Sequence, residues 1–126
     1  MGRLINSRYA LNIDPKRASL LSLKNVCSAT SPIGAVVNDP THNDWLKKVR
    51  DLRGRCQHAD IEHVLVAAEG PYARRGQPVI PLPYCWQTPL RALPIVDYSH
   101  EVVQAAEATL LAVINAVAIA PNSPLI

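Results

Sequence analysis

An arginine set five residues ahead of a histidine, in Arg53-Gly54-Arg55-Cys56-Gln57-His58, is where this sequence comes nearest to chemistry. RNA can be cut by its own 2′-hydroxyl attacking the adjacent phosphorus. A histidine, with an ordinary pKa of about 6.5, can take or give the proton. An arginine can hold the extra negative charge that builds on the phosphorane-like transition state. These two groups suffice without a metal. His58 is thus the candidate general acid/base, and Arg53 the candidate holder of the scissile phosphate. Lys47, Arg50 and Arg55 stand on the same stretch as candidates for binding RNA phosphates. Glu62, four residues after His58, is placed to orient its imidazole, and Asp51, four before Arg55, to position that arginine.

Groups of this kind need a rigid carrier. Trp45, Val49, Leu52, Cys56, Ala59, His63 and Val66 recur at alternating steps of four and three. This predicts one amphipathic helix over Trp45 to Val66, widened by Leu65 and Ala68. Thr41-x-x-Asp44 resembles a capping box at its start, and Gly70-Pro71 stops it. Five residues make about 500° of helical rotation, so Arg53 and His58 lie roughly 140° apart. Arg55 and His58, three apart, share a face. Arg53 and His58 can meet at one phosphate if two copies of the helix face each other across a shared cleft.

The composition suits such a scaffold. A chain of 126 residues is expected to be one domain, and 48% hydrophobic with 18% charged residues is ordinary for a soluble protein. With no Phe and six aromatics in all, the core must rest on Leu, Val, Ile and Ala, which favours packed helices. A net charge of +3 permits nucleic acid without demanding it. Lys47, Lys48, Arg50, Arg53 and Arg55 fall within nine residues, as a phosphate-binding face or as a solvated helix face. Cys27, Cys56 and Cys85 show no CxxC or Cys/His ligand spacing, so no metal site is expected, and a reduced, cytoplasmic setting fits. The N-terminal stretch lacks the apolar core of a signal peptide.

Around the central helix, residues 1–13 read either as a short helix or as an ordered arm built on Leu4, Ile5, Tyr9 and Leu11. Asp14-Pro15 is a helix-start signal, and Leu20, Leu21, Leu23, Val26 and Cys27 give an apolar face to about Ser28. Pro32, Gly34 and Asn38-Asp39-Pro40 then break the pattern, leaving Ile33 to Val37 as a turn of helix or extended chain. Residues 70–97 hold six of the eleven prolines, which predicts a long loop with a short extended hairpin around Val79-Ile80 and Leu90 to Val96. Leu82, Tyr84, Trp86 and Leu93 should pack that loop back onto the helices. Asp97 or Ser99 caps a final helix from Tyr98 to about Ala120, with Val102, Val103, Ala106, Leu110, Val113, Ile114 and Val117 as its apolar face. Gln104, Glu107 and Asn115 favour a buried helix over a membrane span. His42 reads as a surface residue near a cap, His63 as a packed core histidine, and His100 has no assigned role. The fold class expected is all-α, a small up-and-down bundle.

The segment from Trp45 to His58 resembles the third helix of HEPN domains, all-α domains with an R-x4-6-H signature, often in a "W..-LR-x-R-x-x-H" string. The likeness is specific over about 25 residues; the proline-rich break and the apolar final helix resemble that family's layout. It implies a four- or five-helix up-and-down bundle that dimerises, with both motifs in a composite cleft. It further implies metal-independent endoribonuclease activity in toxin–antitoxin, abortive-infection or CRISPR defence. Arg53 matches the motif arginine and His58 the motif histidine. The partners it implies are a second copy, RNA, and an antitoxin or other protein, with no cofactor and no membrane. The sequence departs from the family at Gly54, where a polar residue, usually Asn, follows the motif arginine. Asp60 stands where members paired with nucleotidyltransferase antitoxins often carry Tyr, so modification of a tyrosine there is excluded. Beside the family this chain looks short at its N-terminus, with the first helix expected to be reduced or missing. Two other readings stay open: a non-catalytic HEPN-like module binding RNA, nucleotide or a protein partner, and a plain helical oligomerisation protein.

Overall fold

The computed structural model describes residues 1–58, 79–86 and 92–119, with His58 through its backbone alone. These residues are mostly helical. They form helices α1 (Gly2–Tyr9), α2 (Leu20–Leu23), α3 (Pro32–Asn38), α4 (Pro40–His58) and α5 (Ile95–Ile119) and one two-stranded sheet. Strand β1 (Val79–Ile80) pairs antiparallel with β2 (Leu93–Pro94), in the register Val79 to Pro94 and Ile80 to Leu93. The short hairpin expected inside the proline-rich segment is therefore present. A 3-10 turn, Leu82–Tyr84, lies between its strands.

Local chemistry decides where the helices begin. The N-terminal residues form helix α1, closed by Ala10 in the left-handed region at φ 50°. The Asn6 side chain then donates to the Ile13 carbonyl at 2.7 Å and accepts from the Ile13 N–H at 3.1 Å, tying the following chain back to α1. Asp14-Pro15 does not start a long helix. The Asp14 carboxylate accepts from the Lys16 N–H at 3.0 Å, and the chain makes a single turn there. Helix α2 starts later, at Ser19, through a reciprocal box in which Ser19 and Ser22 side chains satisfy each other's backbone N–H groups. Ile33 to Val37 is helical as part of α3, with Ser31 as its cap and Pro32 in the first turn.

Helix α4 also starts earlier than the Thr41/Asp44 pattern suggested. Asp39 accepts from the Thr41 N–H at 2.9 Å, and Pro40 takes the first helical position, where no N–H is needed. The Asp-Pro pair read as a break is therefore the start signal. Helix α5 likewise begins at Ile95, ahead of Asp97 and Ser99; the Ser99 hydroxyl bonds back to the Ile95 carbonyl at 2.8 Å, within the helix rather than at its cap.

The chain forms two compact units, Met1–Asn43 with Glu107–Ile126, and Asp44–Ala106. The core of the first holds Ile5, Leu23, Cys27, Ile33, Val37, Val113 and Ala116. Within it the His42 Nδ1 meets the buried Thr109 hydroxyl at 3.0 Å, so His42 is a half-buried partner of α5 rather than a free surface residue. The core of the second unit holds Ile80, Cys85, Leu93 and Tyr98, with Val49, Leu52, Tyr84, Trp86 and Val102 packed around them. Leu82 stays exposed, whereas Tyr84 and Trp86 are half-buried and Leu93 is buried. Along α5, the buried residues are Tyr98, Thr109, Val113 and Ala116. Val103, Leu110 and Ile114, expected on its buried face, are exposed. Alanines and aliphatics surround this helix on most sides, so pattern alone does not select the side that packs.

Candidate functional site

Helix α4 carries most of the candidate residues, and its packing in the second unit fixes how it presents them. Trp45 is buried, and Val49, Leu52 and Cys56 are half-buried, so the four described members of the predicted stripe face inward. Trp45 leans on Trp86 at 6.5 Å between ring centroids, and Trp86 meets Tyr98 edge-on at 5.3 Å. The Tyr98 hydroxyl donates to the Tyr84 carbonyl at 3.0 Å. Trp86 and Tyr84 thus serve the core rather than an open stacking platform. Ala59, Glu62, His63 and Val66 lie outside the described residues, as do Gly70-Pro71 and Asp60.

At 100° per residue, Lys47, Arg50 and Gly54 fall opposite the buried stripe, with Arg53 and Arg55 toward its two margins. Arg50, Arg53 and Arg55 are exposed; Lys47 and Lys48 are half-buried. Asp51 stands 3.9 Å from the Arg50 Nε, with both side chains largely in solvent. The pairing of Asp51 with Arg55 expected from their spacing is not seen; the neighbouring Arg50 takes the carboxylate instead. An exposed contact of this length contributes little to stability. Among the described residues no ion pair holds Arg53 or Arg55. Five cations within nine residues, against one carboxylate, give this face a positive potential suited to a polyanion.

Gly54 sits at the middle of that face. A Cβ placed there would meet nothing within 4 Å. No packing demand explains the glycine, and it leaves a gap between the cations. His58 closes the described helix, so Arg53 and His58 share one continuous helical backbone, five residues apart.

Two buried groups behind α4, Cys85 and Tyr98, are not among the candidate site residues of the sequence. Cys85 is fully buried, its thiol pointing to the carbonyls of Ile80 at 3.8 Å and Pro81 at 3.6 Å. Burial, and then the Glu101 charge, push that thiol up from its ordinary pKa. Tyr98 is pushed far above the usual phenol range, by burial first and then by Cys85 and Glu101. The signal available for Tyr98 was an aromatic at the head of an apolar helix beside a proline-rich loop. Among the described residues no three His, Cys, Asp or Glu side chains form a cluster. Comparison of the chain with protein-family models, with curated proteins and with solved structures finds no match.

Proposed function

We propose that this chain is a HEPN-like endoribonuclease that cuts RNA without a metal, in a cleft shared by two copies. The observation carrying this reading is the exposed cationic face of α4, where Arg53 and Arg55 are held in no ion pair among the described residues and lie on one continuous helix with His58. In the proposed reaction Arg53 holds the scissile phosphate and the negative charge that builds on it, while Arg50, Arg55 and Lys47 bind neighbouring phosphates. His58 takes the 2′-hydroxyl proton as that oxygen bonds to phosphorus. The bond to the 5′-oxygen breaks, and His58 of the second copy returns a proton to it. The products are a 2′,3′-cyclic phosphate and a 5′-hydroxyl. Glu62 orients the imidazole. A cytoplasmic toxin held in check by an antitoxin is the setting this reading favours.

A second reading rests on Gly54. It leaves open space where the family that α4 resembles has a polar side chain. This favours a HEPN-like module that binds RNA, a nucleotide or a protein partner and does not cut. One experiment separates the two: a mixed RNA pool incubated with purified protein in EDTA, beside Arg53→Ala and His58→Ala. Cleavage by the wild type alone, leaving 2′,3′-cyclic ends, supports the nuclease. Salt-sensitive binding without cleavage supports the module. Equal cleavage by wild type and His58→Ala removes His58 from the chemistry.

A further inference from the structure

The cations of this chain are unevenly placed. Five of the thirteen, Arg3, Arg8, Lys16, Arg17 and Lys24, fall before residue 39, with one of the ten acids, Asp14. That excess is larger than the net +3 of the whole chain. All five side chains are exposed. The fold brings Arg3, Lys16 and Arg17 together. Left-handed Ala10 and Asn12 turn the chain back after α1, and the paired hydrogen bonds between Asn6 and Ile13 hold the return. The first turn of α1 then lies on the start of α2. A Cβ on Gly2 would stand 2.5 Å from the Ser19 carbonyl carbon and 2.9 Å from the Ala18 carbonyl oxygen. Arg3 and Arg17 each sit next to this contact in the chain, and Lys16 one residue further on. All of these residues belong to one compact unit.

Helix α1 buries Gly2, Ile5 and Asn6. At 100° per residue, Leu4 and Ser7 lie within about 35° of the middle of the opposite side, with Arg3 and Arg8 about 70° to either side of it. Leu4 is 75% exposed, and Met1 before it 42%. We propose that α1 and the α1–α2 connection dock this chain on an anionic lipid surface. Leu4 enters the headgroup boundary. Arg3 and Arg8 lay their stems beside it while their guanidinium groups hold lipid phosphates. Lys16 and Arg17 widen the contact, and clusters of about four to eight cations on an amphipathic helix suit anionic lipid. RNA would meet the cations but leave Leu4 in water. A protein partner would find one or two apolar side chains, far short of the roughly 800 Å² that each side of a stable interface buries. The contact stays at the bilayer surface and needs no spanning helix. It departs from the absence of a membrane that the family resemblance implies.

No residue of α4 takes part, so this inference does not rest on the nuclease reading. Co-sedimentation of the full chain with vesicles tests it, using phosphatidylcholine alone or with about 30% phosphatidylserine, in about 0.1 M salt. The anionic vesicles should bind on the order of a hundredfold more tightly than the neutral ones. Arg3→Gln with Arg17→Gln should weaken that binding about thirtyfold, at about fivefold per cation. Leu4→Ser, at an exposed position outside the core, should weaken it about tenfold. Binding should be lost in about 1 M salt. Equal affinity for the two vesicles, or no effect of Leu4→Ser, would overturn the proposal. So would binding that survives high salt, which would mean insertion of an apolar helix such as α5. Loss of vesicle binding in Arg50→Gln with Arg55→Gln, but not in Arg3→Gln with Arg17→Gln, would move the site to α4. Wild type that binds RNA through Arg3 and Arg17 but binds no vesicles would give this face to RNA instead. Arg3→Gln with Arg17→Gln should leave RNA cleavage in solution unchanged, so docking and cleavage can fail separately.

Discussion

The same substitution, glycine to alanine, should act with opposite sign at two helical positions. At Gly54 the new methyl enters open space, with no atom within 4 Å. Only the backbone entropy of the unfolded chain then changes, and Gly54→Ala should stabilise by about 0.8 kcal/mol. At Gly34 the methyl would run into the Ser28 carbonyl oxygen and lie 2.6 Å from both the Ser28 carbonyl carbon and the Ser31 Oγ. Neither neighbour is free to yield. Ser28 O accepts from the Ser31 N–H at 3.1 Å and from the Ser31 hydroxyl at 2.7 Å, while Ser31 Oγ caps α3 by accepting from the Gly34 N–H at 3.0 Å. Forcing these apart costs about 1–3 kcal/mol as overpacking, and about 1 kcal/mol more if the cap is lost. Set against the same gain of about 0.8 kcal/mol, Gly34→Ala should destabilise by about 2 kcal/mol. The two variants should therefore differ by about 3 kcal/mol in urea unfolding followed by helical circular dichroism, with unchanged denaturant slopes. Gly34→Ala as stable as wild type would refute the close seating of α3 on the Ser28 turn. A loss of stability in Gly54→Ala would refute the open face of α4.

Two further predictions concern single hydrogen bonds and their pH dependence. Tyr98→Phe removes the donor to the Tyr84 carbonyl and should cost about 1 kcal/mol at neutral pH. The folded pKa of Tyr98 is raised, so its contribution is fully present below the unfolded value of about 10 and is lost as pH rises through the folded one. Urea midpoints from about pH 8 to about pH 11 should fall more steeply for wild type than for Tyr98→Phe, and parallel curves would sink this account. Asp39→Ala should cost about 1 kcal/mol by uncapping α4. The Asp39 carboxyl is held below its ordinary pKa, first by the Thr41 backbone N–H and then by the Thr41 hydroxyl, so its contribution is present above about pH 3.9 and lost as pH falls through the folded value. Acid titration of stability should narrow the gap between wild type and Asp39→Ala as pH falls below about 3.9 and through the folded value, and a gap that stays constant would refute the cap.

Sequence periodicity alone determined the helical class, the inward stripe of α4 from Trp45 to Cys56, the hairpin around Val79-Ile80 and a long final helix. Each is written in local chemistry: alternating steps of four and three, β-branched residues between prolines, and an uninterrupted apolar run. The cationic face of α4 was equally legible, since five cations on one helix cannot all be buried. Tertiary structure decided what depends on competition between signals or on partners distant in the chain. Two Asp-Pro pairs look alike as helix starts. Only Asp39-Pro40 feeds a long helix, because after Asp14-Pro15 the chain runs on to the Ser19–Ser22 box. Asp51 had two arginines within reach and took the adjacent one. His42 found Thr109, 67 residues away. The packed side of α5 was settled the same way. With apolar residues over most of its circumference, periodicity allowed several faces, and the chain's own cores took Tyr98, Thr109, Val113 and Ala116. Val103, Leu110 and Ile114 were left exposed, because one helix can bury only the side its neighbours reach.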